Sequence, residues 1–280
     1  MNWRDEIIQR LKDDPQVTVL ILGGGINGAG LFRELALQGV DCLLVDKADF
    51  AAGATSKSSR MIHGGLRYLE NREFKLVAES LRERNRLLEN AAHYVAPLQT
   101  TIPLCSWFGG LHKSALIFMG CKVAPGSRGV VPIKFGLSFY DLVTRKNPRT
   151  PRHFLTGKAE SLRATPGLHP GIVATATYWD AWITQAERLC VELIQDATRA
   201  HPRCQAINYV QLESSQDGGV LLRDEATGQD FVVRPRVVVN ATGGWVDKTN
   251  AALGFETRYM GPTKGSHLVV DNQELHRALD

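Results

Sequence analysis

The chain has 280 residues, 44% hydrophobic and 22% charged, a balance that supplies a core and excludes intrinsic disorder as its main state. Its longest apolar run, residues 115–121, is far shorter than the roughly 18–20 residues of a spanning helix, and a start containing Asp5 and Glu6 does not read as a secretory signal. The net charge of +4 is local: no acid lies between Glu89 and Asp141, where Lys113, Lys122, Arg128 and Lys134 fall, and the rest of the chain is balanced.

In chain order, Trp3, Ile7, Ile8 and Leu11 share one side of a helix that Asp13-Asp14-Pro15 ends. Residues 17–22 form an apolar, β-branched run suited to a strand buried on both faces. The glycine-rich stretch 23–30 follows, then a helix over 31–38 closed by Gly39, then a second strand over 40–45 ended by Asp46. This is one βαβ unit. Residues 53–59 are small and polar and read as loop. A helix over 73–90 would turn Phe74, Val77, Leu81 and Leu88 inward and Arg82, Glu83, Arg84 and Arg86 outward. From residue 97 to 179 prolines and glycines multiply, which marks a second region. A helix over 181–200 and strands at 220–222, 231–233 and 237–239 follow, with Asp217-Gly218-Gly219 as a turn. Residues 265–270 look like a strand entering further structure, yet only ten residues remain, so a fragment is expected.

Five cysteines without a Cys-x-x-Cys pair read as buried thiols in a reducing cytosol, and eight histidines without ligand spacing predict no metal site. The acid-free segment also carries Trp107, Phe108, Leu111, Leu116, Ile117, Phe118 and Met119. It is either an insertion with a solvated basic face or a patch for anionic lipid headgroups, on a protein expected in the cytoplasm and peripheral on the inner membrane face. No recognition signature accompanies the charge, so nucleic acid is not an expected partner.

Three motifs carry chemistry. In Gly23-x-Gly25-x-x-Gly28, Gly23 permits the tight turn, Gly25 admits a pyrophosphate to the backbone and Gly28 lets helix and strand pack closely. The helix N-terminus attracts phosphate, and Asp46, 18 residues after Gly28, stands where a carboxylate accepts ribose hydroxyls. Together these indicate a bound dinucleotide. Asn240-Ala241-Thr242-Gly243-Gly244 after an apolar strand could lie against that loop, as in two-domain flavoproteins. In His63-Gly64-Gly65-Leu66-Arg67-Tyr68-Leu69, His63 can take an alcohol proton near neutral pH, Arg67 offers a fork of donors to an anion and Tyr68 adds a hydroxyl.

The run from Asp49 to Leu69 resembles FAD-dependent glycerol-3-phosphate dehydrogenases, members of the D-amino-acid oxidase-like flavoproteins. Residues 23–30, 240–246 and Lys264-Gly265-Ser266-His267 resemble the same family in the same order, covering the front portion of its length. The resemblance implies FAD as cofactor. Gly23, Gly25, Gly28 and Asp46 would hold its ADP half; Thr55, Ser56 and Ser58 would line its phosphate and ribityl side; Asn27, Thr242 and Gly243 join the cofactor-binding set. His63, Arg67 and Tyr68 would face the substrate. The chain departs from the family pattern at Ala54, Gly244, Thr184 and Gln185, which leaves the polyol phosphate open.

The expected fold is α/β: a Rossmann-like FAD-binding domain from residues 1–95 and 180–255, with an inserted α+β substrate domain from 96–179 and 256–280, truncated. The expected activity is oxidation of sn-glycerol 3-phosphate to dihydroxyacetone phosphate, with quinone or oxygen as acceptor. Its rivals are another oxidoreductase of the same superfamily, a non-catalytic flavin-binding module and, more weakly, an NAD-dependent dehydrogenase.

Overall fold

The computed structural model describes residues 3–71, 73–110, 129–216, 218–261, 265–274 and 277. The chain divides into two compact units, Met1–Ser59 with Gln185–Ser266, and Arg60–Thr184 with His267–Asp280. Its strands are β1 (Gln16–Leu22), β2 (Cys42–Val45), β3 (Met61–Ile62), β4 (Val95–Leu104), β5 (Phe154–Gly157), β6 (Ala174–Ile183), β7 (Gln205–Ile207), β8 (Val210–Gln216), β9 (Gly219–Asp224) and β10 (Gln229–Asn240). Its α-helices are α1 (Trp3–Asp13), α2 (Ile26–Leu37), α3 (Phe74–Asn90), α4 (Val130–Thr144), α5 (Lys158–Ala164), α6 (Ala186–Ala200) and α7 (Val246–Ala252). Among the described residues, no helix is long and apolar enough to cross a membrane, and no cluster of three or more His, Cys, Asp or Glu side chains could hold a metal ion.

The first unit is built on a six-stranded sheet in the order β7-β2-β1-β10-β9-β8. Strands β7, β2, β1 and the second half of β10 run parallel. Alternate residues of β1 feed two cores: Leu20 and Leu22 join Ile8, Leu11, Leu43 and Phe231, while Val19 and Ile21 join Phe32, Leu44, Cys190 and Ile194. Such two-sided burial is why this strand reads as an unbroken apolar run. The two strands expected at 231–233 and 237–239 are one. β10 pairs antiparallel with β9 up to Val233, then parallel with β1 from Arg234. Pro235, which has no amide proton, falls just after the point where the ladder changes partner.

The second unit carries an antiparallel sheet in the order β3-β6-β4, with β5 also on β6. Helices α3 and α4 cover it through Val77, Leu81, Leu137 and Tyr140. This packing explains why the units part after residues 59 and 184, whereas the sequence reading divided the chain after 95 and 179. Helix α3 buries its apolar face inside the second unit, and the motif strand β3 pairs with β6 there.

Other expectations shift for similar reasons. The helix expected from Ala181 begins at Ala186, because Ala181, Trp182 and Ile183 pair with β3 and β4. Phe74, expected inward, is 42% exposed, and Trp3, on the apolar side of α1, is 55% exposed. Arg84, read as outward, is 2% exposed. Of the thiols, Cys42, Cys190 and Cys204 are buried but Cys105 is exposed. Of the acid-free segment, Leu111, Lys113, Leu116, Ile117, Phe118, Met119, Cys121, Lys122 and Arg128 lie outside the described residues, while Trp107, Phe108 and Lys134 are exposed.

Candidate functional site

In the first unit, the chain leaves β1 through a glycine turn and enters α2. Gly23 has φ +107°, and a β-carbon there would lie 2.6 Å from the Ala241 carbonyl oxygen. At Gly28 a β-carbon would lie 1.9 Å from the Gly23 carbonyl oxygen, so the first turn of α2 abuts the end of β1. The segment after β10 therefore does lie against this loop. Gly25 differs: its β-carbon would meet only Thr55 Oγ1, at 3.2 Å. It forms the N-cap of α2 without a side-chain cap. The first amide of the helix, Ile26 N, donates to Thr55 Oγ1 at 3.1 Å. Asn27, on the first turn, is exposed. A helix start of this kind presents unsatisfied N–H groups and the positive end of the helix dipole.

Asp46 closes β2 and braces the turn. Its Oδ2 accepts from Gly24 N at 2.7 Å and its Oδ1 from Ala48 N at 2.9 Å. An ionised carboxylate offers about four acceptor positions, so lone pairs remain on both oxygens. Below the loop, Cys190 Sγ donates to the Gly24 carbonyl at 3.3 Å; burial, and then the charge of Asp46, pushes its thiol up to about 12. Cys190 thus acts as a structural floor, a role no local motif signals.

Thr55, Ser56 and Ser58 share the turn-rich segment before residue 60. Ser56 Oγ donates to the Ala52 and Gly53 carbonyls, and Ser58 Oγ to the Thr55 carbonyl. At the end of β10, Asn240 Oδ1 accepts from Thr242 N at 3.2 Å and from Thr242 Oγ1 at 2.7 Å, and Thr242 Oγ1 also meets Thr249 Oγ1 at 3.0 Å. The Thr242 hydroxyl is therefore engaged within the protein, while Gly243, at φ +59°, borders open space. Lys47 Nζ lies 4.9 Å from the Trp245 ring centre, a cation–π contact that sequence spacing could not reveal.

These features fit the ADP half of a flavin cofactor: a glycine turn at the start of α2, where a side chain at Gly25 would meet only Thr55, and a carboxylate at the end of the second parallel strand.

The second unit carries the other motif. His63 leaves β3 and is exposed. Gly64 is wedged in: a β-carbon there would lie 2.4 Å from Leu81 Cδ2 and 3.0 Å from Tyr140 Cε1. Gly65 has φ +75° and leads into the 3-10 helix Leu66–Asn71, where Tyr68 N donates to the Gly65 carbonyl at 2.8 Å. The turn brings His63 and Tyr68 together, ring centres 6.4 Å apart, with Tyr68 41% exposed. The backbone of Arg67 lies on the same 3-10 helix; its side chain is outside the described residues. Behind the turn, Tyr140 is buried, and desolvation followed by the charge of Asp180 pushes its hydroxyl well above the usual phenol range.

The chain matches the family model "FAD dependent oxidoreductase" over residues 18–280. It is 35% identical over 269 residues to a glycerol-3-phosphate dehydrogenase of Synechocystis sp., covering 90% of this chain and 45% of that protein. It is 29% identical over 278 residues to an aerobic glycerol-3-phosphate dehydrogenase of Staphylococcus aureus, covering 97% of this chain and 46% of that one. The chain thus spans about half the length of the curated relatives it matches. Its fold is similar to that of a solved glycerol-3-phosphate dehydrogenase from Bacillus halodurans complexed with FAD, with TM-score 0.60, 23% identity, and coverage of 89% of this chain and 38% of that one. It is also similar to L-proline dehydrogenase from P. horikoshii, with TM-score 0.61, 15% identity, and coverage of 87% and 57%. The family match runs through both units, and from it one conclusion follows: the chain belongs to the FAD dependent oxidoreductase family, with FAD as its cofactor.

Proposed function

We propose that this chain is the flavin-carrying portion of an enzyme that oxidises sn-glycerol 3-phosphate to dihydroxyacetone phosphate. The observation that carries this reading is the His63-Gly64-Gly65-Leu66-Arg67-Tyr68-Leu69 turn: a rigid bend that exposes an imidazole beside a phenol, with a guanidinium one residue before that phenol. The similarity to the Synechocystis protein, named glycerol-3-phosphate dehydrogenase, supports it.

When bound, FAD supplies the two-electron acceptor for a hydride from the substrate carbon. The first turn of α2, with Gly25, Asn27 and Gly28, would receive the pyrophosphate, since its amides and dipole favour an anion. Asp46 would accept ribose hydroxyls with its remaining lone pairs. Thr55 Oγ1 already accepts from Ile26, so its own proton can be donated to a phosphate oxygen. Ser56 and Ser58 would offer their hydroxyl oxygens along the same side, and Gly243 would let the cofactor approach the backbone near Thr242. His63 would take the C2 hydroxyl proton through a ring nitrogen as hydride leaves. Arg67 would hold the substrate phosphate through a bidentate pair of hydrogen bonds, and Tyr68 would donate its hydroxyl to it. Electrons would pass on to quinone or oxygen.

The test is anaerobic single-turnover bleaching of the bound flavin. Glycerol 3-phosphate should bleach it, and glycerol, 2-hydroxy acids and amino acids should not. Bleaching by phosphate-free substrates alone would favour a different oxidoreductase of the same superfamily.

We also infer contact with an anionic membrane surface through the acid-free segment. Each basic residue near such a surface is worth roughly 1 kcal/mol. Replacing Lys113, Lys122 and Arg128 by Glu should abolish binding to anionic liposomes; unchanged binding would leave the segment as ordinary solvated surface.

A further inference from the structure

The strongest unexplained feature is a buried ion pair behind the His63 turn. Arg84 and Asp180 have side chains 2% exposed, and Arg84 Nη1 lies 3.3 Å from Asp180 Oδ1. The same Oδ1 accepts the Gly64 amide at 3.0 Å. Arg84 is itself fixed: Nη1 donates to the Trp179 carbonyl at 2.7 Å, and Nε and Nη2 to Asn85 Oδ1 at 3.3 and 3.0 Å. Asn85 Nδ2 in turn donates to the Asn147 carbonyl at 2.8 Å.

Register gives the arrangement its meaning. Met61 pairs with Trp182 and Ile62 with Ala181, so the next position on β6 opposite His63 is Asp180. The ladder stops there, and the Asp180 side chain takes the hydrogen bond that backbone would otherwise take. The Gly64 amide belongs to the peptide unit that His63 begins. Holding it fixes the ψ angle of His63 and hence the direction of its Cα–Cβ bond.

We propose that Asp180, clamped by Arg84, is a positioning residue: it fixes the His63 imidazole by holding the Gly64 amide. Its consequence for turnover rests on His63 being the proton acceptor, as proposed above.

The test uses the full chain with FAD, 13C-labelled at histidine Cε1, with His63 assigned by the signal lost in His63→Gln. Asp180→Ala removes the acceptor. Asp180→Asn keeps an oxygen for the Gly64 amide but leaves Arg84 without its counter-charge. Both should lower the thermal midpoint. Only Asp180→Ala should displace the His63 resonance and slow flavin bleaching by about tenfold or more, with Asp180→Asn restoring the resonance. A His63 signal unmoved in folded Asp180→Ala overturns the proposal, and so does an equal displacement in both variants. Should Asp180→Ala not fold, Arg84→Leu with Asp180→Val removes both charges together and leaves none buried alone. The same displacement is expected there, and its absence overturns the proposal. If the resonance moves as expected while His63→Ala still bleaches normally, positioning stands and the role of His63 as proton acceptor fails.

Discussion

The main chain of Ala241 passes so close to Gly23 that a β-carbon on Gly23 would sit 2.6 Å from the Ala241 carbonyl oxygen. The two residues end neighbouring parallel strands, and their contact brings the segment after β10 onto the glycine turn. A side chain at position 23 meets fixed backbone, and φ +107° is a conformation that L-residues avoid. Gly23→Ala should therefore destabilise the chain by about 1–3 kcal/mol, the usual range for such strain. Chemical denaturation of the apoprotein measures it; an unchanged midpoint would mean that the turn relaxes freely.

Gly25→Ala should separate folding from binding. The added methyl group would meet only Thr55 Oγ1, at 3.2 Å, so the thermal midpoint of the apoprotein should change little. The same methyl group stands where pyrophosphate would approach the backbone, so FAD affinity should fall at least tenfold, about 1.4 kcal/mol. Titration of the apoprotein with FAD gives the answer. Wild-type affinity would move the phosphate site elsewhere.

His63→Ala and Arg67→Ala should split rate from affinity. Loss of a general base typically costs about 10²–10⁴ in rate, so flavin reduction by glycerol 3-phosphate should collapse while substrate affinity stays near normal. A charge-assisted contact is worth about 1.5–3 kcal/mol, so Arg67→Ala should weaken affinity by roughly 10- to 100-fold. Stopped-flow bleaching at varied substrate concentration resolves the two effects. The opposite pattern would exchange the two roles.

Acid should loosen the segment after α7. Asp247 Oδ2 accepts the Met260 amide at 2.9 Å, and its Oδ1 accepts the Tyr259 amide at 2.9 Å and the Thr257 hydroxyl at 2.8 Å. The two amide bonds, then the hydroxyl bond, hold its carboxyl below the ordinary 3.8. A carboxyl depressed in the folded state favours folding above its ordinary value, and that contribution is lost as pH falls through the folded value. The Tyr259 and Met260 amides should be protected from hydrogen exchange at pH 6 and lose protection only as pH falls below the ordinary carboxyl value of 3.8. Equal protection at pH 3 would show that other contacts hold the segment.

What the sequence determined by itself is local. The apolar run of β1, the glycine turn and Asp46 lie within about thirty residues, where steric limits on the backbone leave few outcomes. The residue types of the His63 motif were legible too, but its backbone was not: Gly65 takes a positive φ, and Gly64 admits the close approach of the protein's own Leu81. The spacing of Val77, Leu81, Arg84 and Leu88 also put Arg84 on the inner face of α3; its charge argued for the outside, and the charge misled. Only the tertiary structure decided that point. A guanidinium can be buried when a carboxylate, a carbonyl and an amide oxygen meet it, and here they come from Asp180, Trp179 and Asn85. Asp180 lies 96 residues from Arg84. No periodicity along the chain encodes that meeting, because it depends on how α3 packs across β6.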